Sequence, residues 1–169
     1  MGALRDCEAI GDSFLGQPVN SLTTLAFVIA GVVVWRYSTR PWVAVGLIGT
    51  GVGSFLFHGP MPPYSQVAHD VTLWFLVVAV LISIVVDFRS TRGGWRHLLG
   101  PLLLLATVAV IGRLGATGNP LCDADSIWQP HGLWHLGSAA AVTWWAVLAE
   151  PMEAGALSGG VPDRELDSR

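Results

Sequence analysis

The sequence predicts an all-α, polytopic membrane helix bundle of five transmembrane helices with its N-terminus outside. Three observations predict it. Of 169 residues, 52% are apolar and only 12% are charged, and a mean hydropathy of +0.56 is not that of a soluble domain. Apolar runs at residues 19–35, 42–58, 67–86, 98–112 and 131–149 approach the roughly 20 residues that cross a hydrocarbon core, or fewer where the bilayer thins. Eight tryptophans in so short a chain suit a protein with two water-lipid interfaces to anchor. A net charge of -3 is too small to steer a polyanion, which excludes nucleic acid as an expected partner.

The first run follows an acidic segment (Asp6, Glu8, Asp12) and is too long for the core of a cleaved signal, so it reads as a retained span with Asn20 and Ser21 as helix caps. In the second, Gly46, Gly49, Gly53 and Ser54 recur three or four apart, which lets a neighbouring helix approach closely. Pro41, Pro60, Pro62 and Pro63 punctuate the turns around the second and third runs. The fourth run is short and contains Pro101, but its leucines from 102 to 105 are hard to place in water, so it counts as a span. Residues 1–150 then form the membrane bundle, and 151–169, without apolar periodicity, a disordered cytoplasmic tail.

Orientation follows from the arginines. Arg36 and Arg40 come after the first run and Arg89, Arg92 and Arg96 after the third, which makes those two loops cytoplasmic. The N-terminal segment and the loops 59–66 and 114–130 then share the outer face, where Arg113 is a basic residue out of place. All nine basic residues are Arg, as in GC-rich bacterial genomes, so the expected location is a bacterial plasma membrane with the site described next near its outer face.

Ionisable residues within spans are expensive in hydrocarbon and usually face a bundle interior. His58 closes the second run, Asp70 opens the third, and His131 and His135 open the fifth, all four at similar depth. His131 and His135, spaced i, i+4, project from one helical face about 5.4 Å apart, where one ion binds both. With His58 as a third neutral imidazole and a water as the fourth ligand, they would make an open zinc site of the catalytic kind, although imidazole also suits copper, iron and nickel. Asp70 beside a dication would accept a proton from the activated water; its bland alternative is a carboxylate favoured by a helix N-terminus. Ser54, one turn before His58, would orient the water or donate to an oxyanion, or else bond back to a carbonyl of its own helix. His69, about 100° from Asp70 around the helix, and His97, among the cytoplasmic arginines, read as structural. Cys7 and Cys122 fall on the same outer side, either as a disulfide tying the N-terminal segment to the loop before His131 or as two unpaired thiols.

The set Cys7-Glu8, Gln17-Pro18-Val19-Asn20-Ser21, Gly53-Ser54-Phe55-Leu56-Phe57-His58, Asp70 and Pro130-His131-Gly132-Leu133-Trp134-His135 resembles the alkaline ceramidase family. That family belongs to a superfamily of membrane hydrolases that includes adiponectin-type receptors and Per1-type proteins. The likeness runs from about residue 7 to 149. It implies zinc on His58, His131 and His135, catalytic roles for Asp70 and Ser54 at the zinc-activated water, a Cys7–Cys122 disulfide, and hydrolysis of ceramide to sphingoid base and fatty acid. The sequence departs from it twice. Seven spans are usual there and five fit here, which leaves a smaller lipid cavity or one completed by a second copy in a homodimer. The calcium held by acidic N-terminal residues in eukaryotic members retains only Glu8 and Asp6 here, with Ile10 and Gln17 where further acidic ligands would stand.

The expected function is therefore zinc-dependent cleavage of a ceramide-like lipid amide entering from the bilayer. A non-enzymatic receptor or binding protein that keeps zinc for stability is the rival from another class. A proton or metal transporter would need polar groups through the cytoplasmic halves of the spans, and those halves are nearly uniformly apolar.

Overall fold

The computed structural model describes residues 5–90 and 96–148, and among them every regular element is a helix. The elements are α1 (Pro18–Thr23), α2 (Leu25–Tyr37), α3 (Pro41–His58), α4 (Ser65–Ser90), α5 (Arg96–Leu114) and α6 (Pro130–Leu148). Four spans, Pro18–Tyr37, Pro41–His58, Ser65–Phe88 and Arg96–Leu114, are long and apolar enough to cross a membrane. The fifth expected run is helical, as α6, 19 residues long, but with two histidines near its start it is less apolar than those four and is not among the helices apolar enough to cross a membrane. The run containing Pro101 is helical throughout. Arg92 and the tail 151–169 lie outside the described residues.

Local chemistry sets the element ends. Pro18 and Pro41 occupy the first helical positions of α1 and α3, where a missing N–H costs nothing. Asn20 and Ser21 are not caps but lie inside α1. The acceptor there is Glu8, whose two carboxylate oxygens take the N–H groups of Val19 and Asn20, each at 2.7 Å, and so satisfy orphan donors at the positive end of the helix. The Thr23 and Thr24 hydroxyls bond back to carbonyls of α1 at the junction with α2.

In the order of their contacts, the helices form a row α4, α3, α2, α6, α5. α3 approaches both neighbours through glycine. A Cβ at Gly53 would lie 2.9 Å from the Ala68 carbonyl oxygen and one at Gly46 2.9 Å from Leu76 Cα, so the α4 backbone rests where α3 lacks side chains. On the other side, a Cβ at Gly51 would lie 3.0 Å from the Val28 nitrogen of α2. The core runs through Phe27, Val34, Val43, Leu47, Leu76 and Trp145. The reverse faces carry exposed large apolar side chains such as Ile29, Trp35, Val78, Leu81, Ile82 and Leu103, a surface that lipid tolerates and water does not.

With α1 and α2 running on as one span, successive spans alternate in direction, so His58, the N-termini of α4 and α6, and the disulfide gather at one end. At the other end Arg40 is buried rather than solvated. Its guanidinium pairs with Asp87 of α4 at 3.0 Å, donates to the Ala146 carbonyl of α6 at 2.7 Å and lies 5.0 Å from the Trp145 ring. His97 stands in the first turn of α5.

Candidate metal centre

α3 ends at His58, and α6 carries His131 and His135 on one face, so two helices that α2 links bring three rings together. Ring centroids are 5.0 Å apart for His58 and His131, 5.3 Å for His58 and His135, and 4.6 Å for His131 and His135. One ring nitrogen from each lies within 4.8 Å of the other two, and among the described residues this is the group of three or more His, Cys or acidic side chains able to hold a metal ion.

The remaining ring nitrogens say which atoms are ligands. Gln17, fully buried, donates from Nε2 to the Glu8 carbonyl at 2.7 Å, which turns its Oε1 to accept from His58 Nδ1 at 2.6 Å. Thr23 donates its hydroxyl to the carbonyls of Val19 and Asn20, each at 2.9 Å, so its oxygen accepts from His135 Nδ1 at 3.1 Å. Asp6 Oδ1 faces His131 Nδ1 at 3.5 Å, an electrostatic contact rather than a hydrogen bond. In each ring Nδ1 is addressed by a side chain, which leaves the Nε2 lone pair pointing elsewhere. That is how outer partners fix the tautomer and aim of metal-binding histidines. Among the described residues His58 Nε2 is buried with no partner, an atom that a protein interior rarely leaves orphaned without a ligand to supply one. The residues present fit a dication such as zinc, and imidazole alone does not exclude other first-row metals.

All three outer partners, Asp6, Gln17 and Thr23, come from the N-terminal segment and α1, which provide no ligand themselves. The segment is fastened by the Cys7–Cys122 disulfide, with Cα atoms 5.4 Å apart, and by Cys7 N–H donating to Thr117 Oγ1 at 3.1 Å. Cys7 sits between Asp6 and Glu8, at φ 71°, so the bridge fixes the very residues that reach His131 and α1. Burial pushes the Asp6 carboxyl up to about 7.

The other expected site residues stand differently. Ser54 is buried one turn before His58, and among the described residues its hydroxyl makes none of the back-bonds seen at Ser21, Ser83 and Ser138. Asp70 is not brought into the histidine trio. Its side chain is about half exposed, and Oδ1 accepts from His69 Nδ1 at 2.8 Å. The 100° between adjacent helical positions therefore does not separate these two side chains, because their rotamers swing them together. His69 in turn packs on Phe57 with ring centroids 4.9 Å apart, and Phe57 on His58 at 5.0 Å, so the Phe57 ring stands between the Asp70–His69 pair and the trio. Glu8 and Asp6 do not converge on a calcium site: the Glu8 oxygens serve α1 and Asp6 faces His131. A residue the sequence presents only as a cap, Asn20, is fully buried with both amide atoms unpartnered among the described residues, one residue beyond Val19 on the turn that Thr23 closes.

Comparison with protein-family models, with curated proteins and with solved structures finds no match for this chain.

Proposed function

We propose that the protein is a zinc-dependent membrane hydrolase that cleaves the amide bond of a ceramide-like lipid. The observation that carries this reading is the buried His58 Nε2 without a partner, in a trio whose Nδ1 atoms are held from outside. A dication bound there supplies Lewis acidity and a water acidic enough to act near neutral pH. His58, His131 and His135 hold it, and Gln17, Thr23 and Asp6 keep their rings aimed. Ser54 and Asn20, polar and buried, donate hydrogen bonds to the carbonyl oxygen as it gains charge. Asp70, hydrogen-bonded to His69 outside the trio, takes the role of proton carrier on the likeness to alkaline ceramidases alone.

The order of motifs supports the likeness to alkaline ceramidases, and the arginine distribution supports placing the histidine end at the outer face of a plasma membrane. An apolar lipid reaches such a site sideways from the bilayer. The test is metal analysis of detergent-purified protein followed by assay against ceramides and other N-acyl lipids. One zinc per chain with release of fatty acid is expected. A metal-loaded protein that hydrolyses none of them would falsify the proposal.

A further inference from the structure

Arg113 has no part in the reading above, yet, with Arg5, it is one of the basic residues that the charge pattern leaves at the histidine end. It stands exposed in the last turn of α5. Its carbonyl accepts from Asn119 Nδ2 at 2.7 Å, and among the described residues no carboxylate meets its guanidinium. With Ala109, Gly112, His131 and Trp134 it lines an open pocket of about 240 Å³ along the seam of α5 and α6. His131 belongs both to this pocket and to the metal-binding trio, so whatever occupies one lies against the other. Gly112 keeps the pocket open, since a Cβ there would sit 3.3 Å from Trp134 Cβ.

We propose that this pocket receives an anionic group on the amine half of the substrate, so that the preferred substrate is an N-acyl amino acid rather than a neutral ceramide. The inference rests on the amidase reading and narrows it. An unpaired guanidinium offers a planar fork that matches a carboxylate and gives a neutral diol headgroup nothing comparable. A dication held by the trio would, together with Arg113, outweigh the Asp6 carboxyl group at His131. The acyl chain stays in lipid while the headgroup turns toward the α5–α6 seam, with Trp134 as its wall.

The test compares N-palmitoylglycine, N-palmitoyltaurine and neutral N-palmitoylethanolamine, with wild type, Arg113→Gln and Arg113→Lys, each loaded with zinc to the same stoichiometry. The ratio of kcat/KM for the glycine amide over the ethanolamide should fall about tenfold to hundredfold in R113Q and less in R113K. A matching loss for the taurine amide means the pocket reads charge in general; a loss for glycine alone means it reads carboxylate geometry. Binding of N-palmitoylglycine to zinc-loaded Asp70→Asn protein, measured by calorimetry with and without R113Q, gives a readout free of turnover. A ratio unchanged by R113Q, or wild type preferring the ethanolamide, overturns the proposal. Arg113-dependent binding by a wild-type protein that cleaves no amide would overturn the hydrolase reading and leave the anion pocket standing.

Discussion

Replacing Gln17 by Leu tests the claim that the metal centre is built from outside. The side chain is fully buried and spans two groups, accepting from His58 Nδ1 at 2.6 Å and donating to the Glu8 carbonyl at 2.7 Å. Leu fills similar space and satisfies neither. Each buried polar group left without a partner costs about 1–3 kcal/mol, so the folded state should lose about 2–6 kcal/mol. A lost outer partner typically costs about 10–100-fold in metal affinity, because the ring is no longer held in one tautomer and orientation. Gln17→Glu separates the two effects: it keeps an oxygen for His58 Nδ1 and places a second acceptor against the Glu8 carbonyl. Zinc affinity would be measured by competition with a chromophoric chelator in detergent, and stability by thermal unfolding of the metal-free protein. Gln17→Leu should lose both, and Gln17→Glu should lose stability while holding zinc more tightly than the leucine variant. If Gln17→Leu bound zinc as tightly as wild type, the argument that Nδ1 partners define the centre would be refuted.

Further expectations concern the same framework. Asp70→Asn should retain one zinc per chain by elemental analysis and lose turnover by about two orders of magnitude or more, whereas His58→Ala should lose the metal itself. Gly53→Val should lower the melting temperature by the equivalent of about 1–3 kcal/mol, because its Cβ would meet the Ala68 carbonyl at 2.9 Å. Gly49→Ala, whose Cβ meets Thr72 Cγ2 at an ordinary 3.4 Å, should be nearly neutral in the same thermal scan. Asp6, raised from 3.8 to about 7 by burial, binds its proton more tightly folded than unfolded. Metal-free protein should therefore lose stability as pH rises through that window, and Asp6→Asn should flatten this part of the profile. A profile identical in the two proteins would remove Asp6 from the account.

The helices were legible because hydropathy is written along the chain. Runs at 42–58 and 98–112 became Pro41–His58 and Arg96–Leu114, with the prolines and arginines marking the ends. His131 and His135 were legible because helical spacing alone puts them on one face, and His58 because three equal-depth imidazoles are costly in lipid. The outer partners were not. Nothing in local spacing tells that Gln17 crosses to His58 or that Asp6 reaches His131, since both contacts depend on how a non-helical segment folds over the helix ends. Gln17 beside Pro18 and Glu8 upstream of α1 offered a faint signal, a polar cluster preceding a helix with no Ser, Thr, Asp or Asn at its cap position. The pairing of Asp70 with His69 escaped for another reason: helical angles place Cβ atoms, and the side-chain torsions beyond them decide who touches.

The dependence of three imidazoles on residues 6 to 23 fixes an order of maturation. Residues 6 to 23 precede the helices whose rings they hold, so a nascent chain halted before α6 has the supports and His58 but neither His131 nor His135. The trio therefore comes together only once α6 has been made, against a segment that the Cys7–Cys122 bridge fastens.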